Sequence, residues 1–460
     1  TMAIDPREDD TIVALSTPPG LGGIAVVRLS GTEAVSILNK LLPPNKMISQ
    51  KSHGMALVTT ISDPSTGDTI DEVVVTFFKA LHSYTTEDLV EISCHGGEYV
   101  QGQILNLSTS AGARIAEPGE FTKRAFLGGR IDLSQAEAVA DLISAKVKSA
   151  HRFSISHMQG ALKERTSSLR SKIVDLSALI EAELDFSDDE ITPIPKEQIA
   201  EKINQVLEGI RLIAENYGYG KIVRNGAVVP IIGKSNVGKS SLLNALLAEE
   251  RAIVTETPGT TRDLIECSVD IDGFFVRLID TAGIRNTGES VEKLGIEKSF
   301  EQIKSADLIL WLIDRSSPLQ EDDLNIHAEL KNREYITIES KSDLPQHKSY
   351  GPEKHNIIPD LAISNLTGKG LRELSSLISS RLKSYDIGED AIITNARQTA
   401  ALSKSKKSLK MALSSTMNNA GNEFISVDIR DAMNYLGEIT GEITTDDVLN
   451  EIFGRFCIGK

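Results

Sequence analysis

At 460 residues the chain exceeds one ordinary domain, and its length fits about three domains of common size. With 40% hydrophobic and 25% charged residues and no apolar run long enough to span a bilayer, it reads as a soluble globular protein without a secretory signal, expected in the cytoplasm. A formal net charge of -16 excludes indiscriminate nucleic-acid binding, so any such contact must use a local patch of Lys and Arg. Cys94, Cys267 and Cys457 lie far apart with no C-x-x-C pair, which points to neither a zinc site nor a disulfide framework. Thr1 ahead of Met2 reads as a residue left from a tag and is set outside the fold.

Residues 10 to 125 alternate β-rich runs at 11–16, 24–29, 73–78 and 89–93 with helical stretches at 32–41 and 97–111, which predicts an α/β domain. The run Thr17 to Gly23 is glycine-rich but lacks a following lysine and serine, and is read as a plain loop. From Asp132 the spacing of Leu133, Ala136, Ala140, Ile143 and Val147 predicts a helix, with Ser134 and Glu137 as its start signal. Two further apolar stripes, Leu169 to Leu184 and Ile199 to Ile213, are separated by Pro193 and Pro195 and complete a helical bundle. Gly218, Gly220 and Gly226 are expected to break the helical pattern ahead of a β-rich run at 227–232. That run opens a second α/β unit reaching about residue 384. Residues 396 to 456 return to helix, with Val448, Leu449, Ile452 and Phe453 on one face. The expected economy is an α/β unit inserted into the bundle, the last helices packing on those of 133–216.

The segment Gly233-Lys-Ser-Asn-Val-Gly-Lys-Ser-Ser241 matches G-x-x-x-x-G-K-S between a strand and a helical run. Glycines at 233 and 238 let backbone N–H groups turn inward around phosphates. The intervening Asn236 and Val237 belong to the same cradle, Lys239 supplies positive charge at the β and γ phosphates, and Ser240 offers a hydroxyl to Mg²⁺, with Ser241 beginning the helix. Downstream, Asp280-Thr281-Ala282-Gly283 ends a strand, where a carboxylate can hold the Mg²⁺ water shell and Gly283 can face the γ phosphate. Between them, Gly259-Thr260-Thr261-Arg262-Asp263 reads as a switch in which a threonine reaches Mg²⁺ while the triphosphate is intact, and Thr255-Glu256-Thr257-Pro258 just before it are further candidate nucleotide contacts. A purine nucleoside triphosphatase follows from these elements.

Guanine is expected because Ser340-Lys341-Ser342-Asp343 approximates N-K-x-D, whose aspartate accepts from the ring N–H and amino group of guanine. Ser340 stands where an asparagine would brace the loop, and Ser364-Asn365-Leu366 stands where such proteins usually read S-A-K. Ile284, after the D-T-A-G run, cannot orient the attacking water as a glutamine does, so that function must come from elsewhere.

Together these residues resemble the TrmE (MnmE) family of bacterial and organellar tRNA modification GTPases over nearly the whole chain. The resemblance rests on the inserted phosphate loop with Asn236, the G-T-T-R-D switch, the segment 280–295 with Glu292, and the ending Phe456-Cys457-Ile458-Gly459-Lys460. It implies an N-terminal tetrahydrofolate-binding and dimerising α/β domain over 1–126, a helical domain over 127–222 and 386–460, and an inserted Ras-like GTPase domain with a mostly parallel sheet over 223–385. It also implies that the nucleotide domains pair around a potassium ion held by Asn236, Thr255, Thr257 and Thr260. Thr261 would join Ser240 at Mg²⁺, and Glu292 would orient the water.

The same resemblance implies that Arg28, Glu91, Arg130 and Lys460 bind 5-formyl- or 5,10-methylene-tetrahydrofolate, for which cationic side chains and a carboxylate are chemically apt. Arg130 replaces a lysine common in relatives, keeping the charge and changing the geometry. Cys457 is implied as a residue of tRNA modification, either as a nucleophile or as a packed thiol. The implied activity is a carboxymethylaminomethyl or aminomethyl addition at C5 of the wobble uridine of tRNA. It is carried out by a homodimer with an FAD-dependent partner in a heterotetramer or larger assembly.

Read without the family, Arg28, Glu91 and Glu292 are surface charges. Basic clusters at Lys146, Lys148 and Arg152, and at Lys404, Lys406, Lys407 and Lys410, are candidates for tRNA phosphates or plain solvated faces. Two rival readings remain. A ribosome-assembly regulatory GTPase would bind ribosomal subunits, and a folate enzyme acting alone would transfer its carbon without GTP or partner.

Overall fold

The computed structural model describes residues 10–185, 194–214, 217–249, 251–252, 265–280, 306–331, 333–383, 393 and 395–460. The chain forms two compact units, Thr1–Ala140 with Gly437–Lys460, and Asp141–Leu436.

In the first unit the elements run β1 (Ile12–Leu15), β2 (Gly22–Ser30), α1 (Ala34–Asn39), β3 (Ala56–Ser62), β4 (Thr69–Phe78), β5 (Leu89–Gly96), α2 (Glu98–Ser110), β6 (Arg114–Ile115), α3 (Glu120–Leu127) and α4 (Leu133–Ser144). The sheet order is β3-β4-β5-β2-β1-β6, antiparallel except where β6 joins β1. Strand β3, which the sequence reading passed over, is the edge strand paired to β4. Its apolar residues fall on both faces, Leu57 and Ile61 inward and Ala56 and Val58 outward, so it lacks the clean alternation of a half-buried strand.

Alternation explains the layering. Ala25, Val27 and Leu29 of β2, Val73, Val75 and Phe77 of β4, and Val90, Ile92 and Cys94 of β5 bury one face under Ile37, Leu38 and Ile104 of the helices. Each Val, Leu, Ile or Phe among them stabilises by about 1.5–3 kcal/mol when fully buried. The period of two sends Arg28 and Glu91, cross-strand partners, to the opposite face.

The start signal of helix α4 lies two residues earlier than expected. Asp132 Oδ1 accepts from the Ser134 hydroxyl at 2.7 Å and from the Gln135 N–H at 2.8 Å, while Gln135 Oε1 accepts from the Asp132 N–H at 3.0 Å. The capping box is therefore Asp132 with Gln135, not Ser134 with Glu137. The stripe does not continue as one helix either. Ile143 is exposed, and Val147 precedes a new helix, α5 (Lys148–Met158).

A C-terminal helix over Asp446–Phe453 places Leu449 and Phe453, with Phe456, against Leu133 and Ala136. The tail beyond it is docked. Ile458 bridges Pro118, the Ser16 hydroxyl donates to the Gly459 carbonyl at 3.1 Å, and a Cβ at Gly459 (φ +91°) would overlap the Leu15 carbonyl.

In the second unit, α6 (Ala161–Asp185), α7 (Lys196–Ala214) and α8 (Tyr217–Asn225) follow α5. Pro195 precedes α7, as a helix start allows. Gly218 and Gly220, expected to interrupt the helix, lie inside α8, and the break comes at Gly226, whose φ of +84° closes the turn. Then come β7 (Ala227–Ile232), α9 (Lys239–Glu249), β8 (Arg251–Ala252), β9 (Ile265–Ile271), β10 (Phe274–Asp280), β11 (Ile309–Asp314), α10 (Glu321–Glu329), β12 (Tyr335–Ser340), β13 (Leu361–Ala362), α11 (Leu371–Lys383), α12 (Ala396–Met417) and α13 (Asn422–Thr440).

Helix α12 packs along α7, whose buried stripe is Ile199, Ile203, Val206, Ile210 and Ile213. The Ser405 hydroxyl donates to Ala432 O at 3.0 Å, and Arg430 pairs with Glu181 of α6 at 2.9 Å. Helices on either side of the α/β region thus share one bundle, and that region is an insertion.

The inserted sheet has the order β13-β12-β11-β7-β10-β9-β8. Strands β13, β12, β11, β7 and β10 are parallel, and β9 and β8 run antiparallel at one edge. Both faces are covered. Val229, Leu242, Leu246, Leu278 and Ile338 belong to one core, and Ile232, Trp311, Ile313 and Leu330 to the other. The neighbours of β7 are β10 on one side and β11 on the other, so the loop after β7 opens at a topological switch point, where such sheets bind ligands. Among the described residues no helix is long and apolar enough to cross a membrane.

Candidate functional site

The loop from β7 to α9 has the backbone of a phosphate cradle. Gly233 (φ +149°), Asn236 (φ +61°) and Gly238 (φ +108°) take conformations that turn successive N–H groups inward. A Cβ at Gly233 would come 2.6 Å from Leu312 O of β11, so no side chain fits there. Val237 is fully buried and anchors the loop in the core, while Asn236 is exposed at its tip. Lys239 folds back over the loop, its ammonium donating to Gly233 O at 2.7 Å and Lys234 O at 2.9 Å. Burial pushes the Lys239 pKa below its ordinary value, and the Asp280 carboxylate opposes that shift.

Ser240 and Ser241 open α9. The Ser240 hydroxyl donates to Asp280 Oδ2 at 2.6 Å, and Asp280, fully buried at the end of β10, is held by its strand. A second lysine, Lys234, reaches the Ser317 hydroxyl at 3.0 Å and the buried Asp323 at 3.5 Å, fastening the loop to the start of α10. Ammonium, hydroxyl and carboxylate so arranged can neutralise phosphate charge and offer hard oxygens to a divalent cation.

Along the same C-terminal edge of the parallel strands, Ser340 closes β12 and is fully buried, its hydroxyl donating to Ile313 O at 3.2 Å. Lys341 (φ +57°) pairs with Asp314 at 2.6 Å. Burial raises the Asp314 pKa, but the hydrogen bond from Lys341, helped by Ser316, outweighs it and holds the carboxyl below its ordinary value. Asp343 Oδ1 accepts from the Ser364 hydroxyl at 2.6 Å. Asn365 Nδ2 donates to Gly238 O at 3.2 Å, and Leu366 is exposed. Sequence positions 233–241, 280, 340–343 and 364–366 therefore converge. Thr255, Glu256, Thr257, Pro258, Gly259, Thr260, Thr261, Thr281, Ala282, Gly283, Ile284 and Glu292 lie outside the described residues.

In the first unit, Arg28 donates to Glu91 Oε1 through Nε at 3.0 Å and Nη2 at 2.6 Å. Its guanidinium lies 5.8 Å from the Tyr84 ring centroid and 5.7 Å from that of Phe121. Arg130 joins the same cluster, 5.1 Å from the Tyr84 centroid and donating to Ser83 O at 2.6 Å. Gly459, next to Lys460, lies against Leu15, a neighbour of Ala14, which pairs with Arg28. Cys457 is exposed, and its carbonyl accepts from Gly119 N at 3.4 Å.

Sequence reasoning missed Tyr84, which lies against both arginines, Phe121, which lies against Arg28, and Asp314, which holds Lys341. An aromatic inside the polar run 82–88 was the available signal for the first, and a carboxylate at a strand end for the last.

Residues 11–130 match the family model described as GTP-binding protein TrmE N-terminus, and residues 133–457 match that of the MnmE helical domain. The tRNA modification GTPase MnmE of Thermoanaerobacter pseudethanolicus is 43% identical over 98% of this chain and 99% of its own length. That of Aquifex aeolicus is 42% identical over 98% of this chain and 100% of its own. A crystal structure of Aquifex aeolicus Era bound to GDP.AlF4- is 28% identical and covers 40% of this chain and 67% of that one, with a TM-score of 0.27. Relatives of that identity across the full length, and the two matching domain models, make this chain a member of the MnmE family of tRNA modification GTPases.

Proposed function

We propose that this GTPase is potassium-stimulated, works as a cytoplasmic homodimer, and adds a carboxymethylaminomethyl or aminomethyl group to C5 of the wobble uridine of certain tRNAs. It would do so with an FAD-dependent partner in a heterotetramer or larger assembly, the carbon coming from 5-formyl- or 5,10-methylene-tetrahydrofolate. The observation that carries the reading is the Lys239, Ser240 and Asp280 cluster, in which the Ser240 hydroxyl meets Asp280 at 2.6 Å.

The donor set suits the groups assigned to it. Ser240 and Thr261 would hold Mg²⁺, and the neutral oxygens of Asn236, Thr255, Thr257 and Thr260 are hard donors for an alkali cation. Bound there, potassium supplies positive charge where charge develops on the phosphates. Lys239 binds the β and γ phosphates, Asp343 reads the guanine edge, and Glu292 orients the water in place of the apolar Ile284. Hydrolysis would drive pairing and separation of the nucleotide domains, a population-shifting switch.

In the N-terminal unit, Arg28 and Arg130 flank Tyr84 on the sheet face that also carries Glu91. Two cations suit the folate carboxylates, a carboxylate suits pterin N–H groups, and an aromatic ring suits a flat heterocycle. Lys460 would join this site, and Cys457 would serve the modification step. Lys406, Lys407 and Lys410 line a groove of about 420 Å³ on α12 with Ser403, Met411 and Ser414, and would contact tRNA phosphates. Lys404 and Lys146 are less available, their ammonium groups lying 5.3 Å and 5.1 Å from the rings of Tyr435 and Phe275.

GTP turnover in potassium and in sodium buffer tests the reading. Roughly tenfold or faster turnover in potassium, lost in Asn236→Ala, is expected. Equal wild-type rates in the two salts would overturn the potassium assignment.

A further inference from the structure

Ser340 and Asn365 form a complementary pair of departures. In the N-K-x-D pattern the first residue braces the base-reading loop, but Ser340 spends its hydroxyl on Ile313 O of its own sheet, at 3.2 Å. Its side chain has one atom beyond Cβ, too short to do the work of an amide. Asn365, where the usual pattern has alanine, carries the amide instead. Its nitrogen lies 3.2 Å from Gly238 O, the carbonyl immediately before Lys239, and only a donor can face a carbonyl there.

The contact has a continuation. Asn365 follows Ser364, whose hydroxyl lies 2.6 Å from Asp343 Oδ1 and also accepts from Thr367 N at 3.2 Å. An unbroken path thus joins the carboxylate that reads the base to the loop that holds the phosphates.

We propose that Asn365 is the positioning residue of the guanine site, tying the base-reading loops to the phosphate loop and replacing the brace that asparagine at position 340 would supply. The proposal rests on reading Gly233–Ser241, Ser340–Asp343 and Ser364–Leu366 as one guanine-nucleotide site. In the N-K-x-D pattern the brace belongs to the asparagine at the 340 position. Here the same mechanical link is made from the opposite loop.

The experiment measures binding of a fluorescent GDP analogue, and competition by GDP and inosine diphosphate, with the full chain. Wild type is compared with Asn365→Ala, Ser340→Asn and the double variant, and the melting temperature of each nucleotide-free protein is recorded. Asn365→Ala should bind about tenfold more weakly at an unchanged melting temperature, as loss of one well-placed hydrogen bond implies. The double variant, which recreates the ordinary pairing, should recover to within about threefold of wild type.

Unchanged affinity in Asn365→Ala overturns the proposal, as does a folded double variant as weak as Asn365→Ala. Should the larger side chain at the buried position 340 prevent folding, the ratio of GDP to inosine diphosphate affinity in Asn365→Ala decides. A fall in that ratio supports a displaced Asp343, and an unchanged ratio counts against the proposal. Wild-type protein that fails to bind GDP would instead sink the underlying site assignment.

Discussion

The phosphate loop draws its polar groups from one stretch, Gly233 to Ser241, and single contacts from Asp280, Leu312, Asp323 and Asn365 steady it from afar. The cluster around Arg28 gathers from β2, β5, the loop carrying Tyr84, helix α3 and the turn at Arg130. In the first, backbone conformation makes the site, and the side chains finish it. In the second, strand register makes the site, since only the pairing of Arg28 with Glu91 brings the two charges together. A local site tolerates change elsewhere in the chain, whereas an assembled one depends on the fold of its whole unit.

The sharpest way to break that comparison is Lys239→Ala. Loss of the charge at the β and γ phosphates should lower GTP turnover at least about a hundredfold, measured by phosphate release. Affinity for 5-formyl-tetrahydrofolate, measured by calorimetry, should stay at the wild-type value. A parallel loss of folate affinity would mean that the two sites are energetically one.

Next in size, Arg28→Ala should weaken 5-formyl-tetrahydrofolate binding by about tenfold to a hundredfold, because it removes a charge-assisted donor and leaves Glu91 without it. GTP turnover in the same variant should not change. If folate affinity survives, the cluster is a structural ion pair on a sheet surface.

The smallest effect belongs to the α12 groove. Joint Lys406→Glu and Lys407→Glu substitution should weaken tRNA binding several-fold and reduce the salt slope by about two, the number of phosphate contacts removed. Titration at several potassium chloride concentrations measures both, and an unchanged slope would remove α12 from the tRNA surface.

Legibility in the sequence follows the same division. Gly233, Gly238, Lys239 and Ser240 were readable because a phosphate cradle is contiguous and its spacing follows from backbone geometry. The apolar stripe of α7 was readable because helical period and burial coincide. Arg28, Glu91 and Arg130 gave no signal of their own and were named only through a resemblance, since an isolated charge on a strand looks like any solvated residue. Gly218 and Gly220 misled, because tertiary packing held α8 together against weak helix propensity. Asn365 is legible only as part of the Ser364-Asn365-Leu366 run, because its contact with Gly238 O joins residues more than a hundred positions apart, and no local pattern encodes that.

Three consecutive residues of β11 meet both ends of the nucleotide site. Leu312 backs Gly233, Ile313 accepts from Ser340, and Asp314 holds Lys341. This strand acts as a gauge bar, with the phosphate cradle and the base-reading loop both indexed to it. On the proposed assignment a ligand would be measured for length as well as for its ends, and one whose base and phosphates stand at another spacing would meet two correct half-sites that it cannot occupy together.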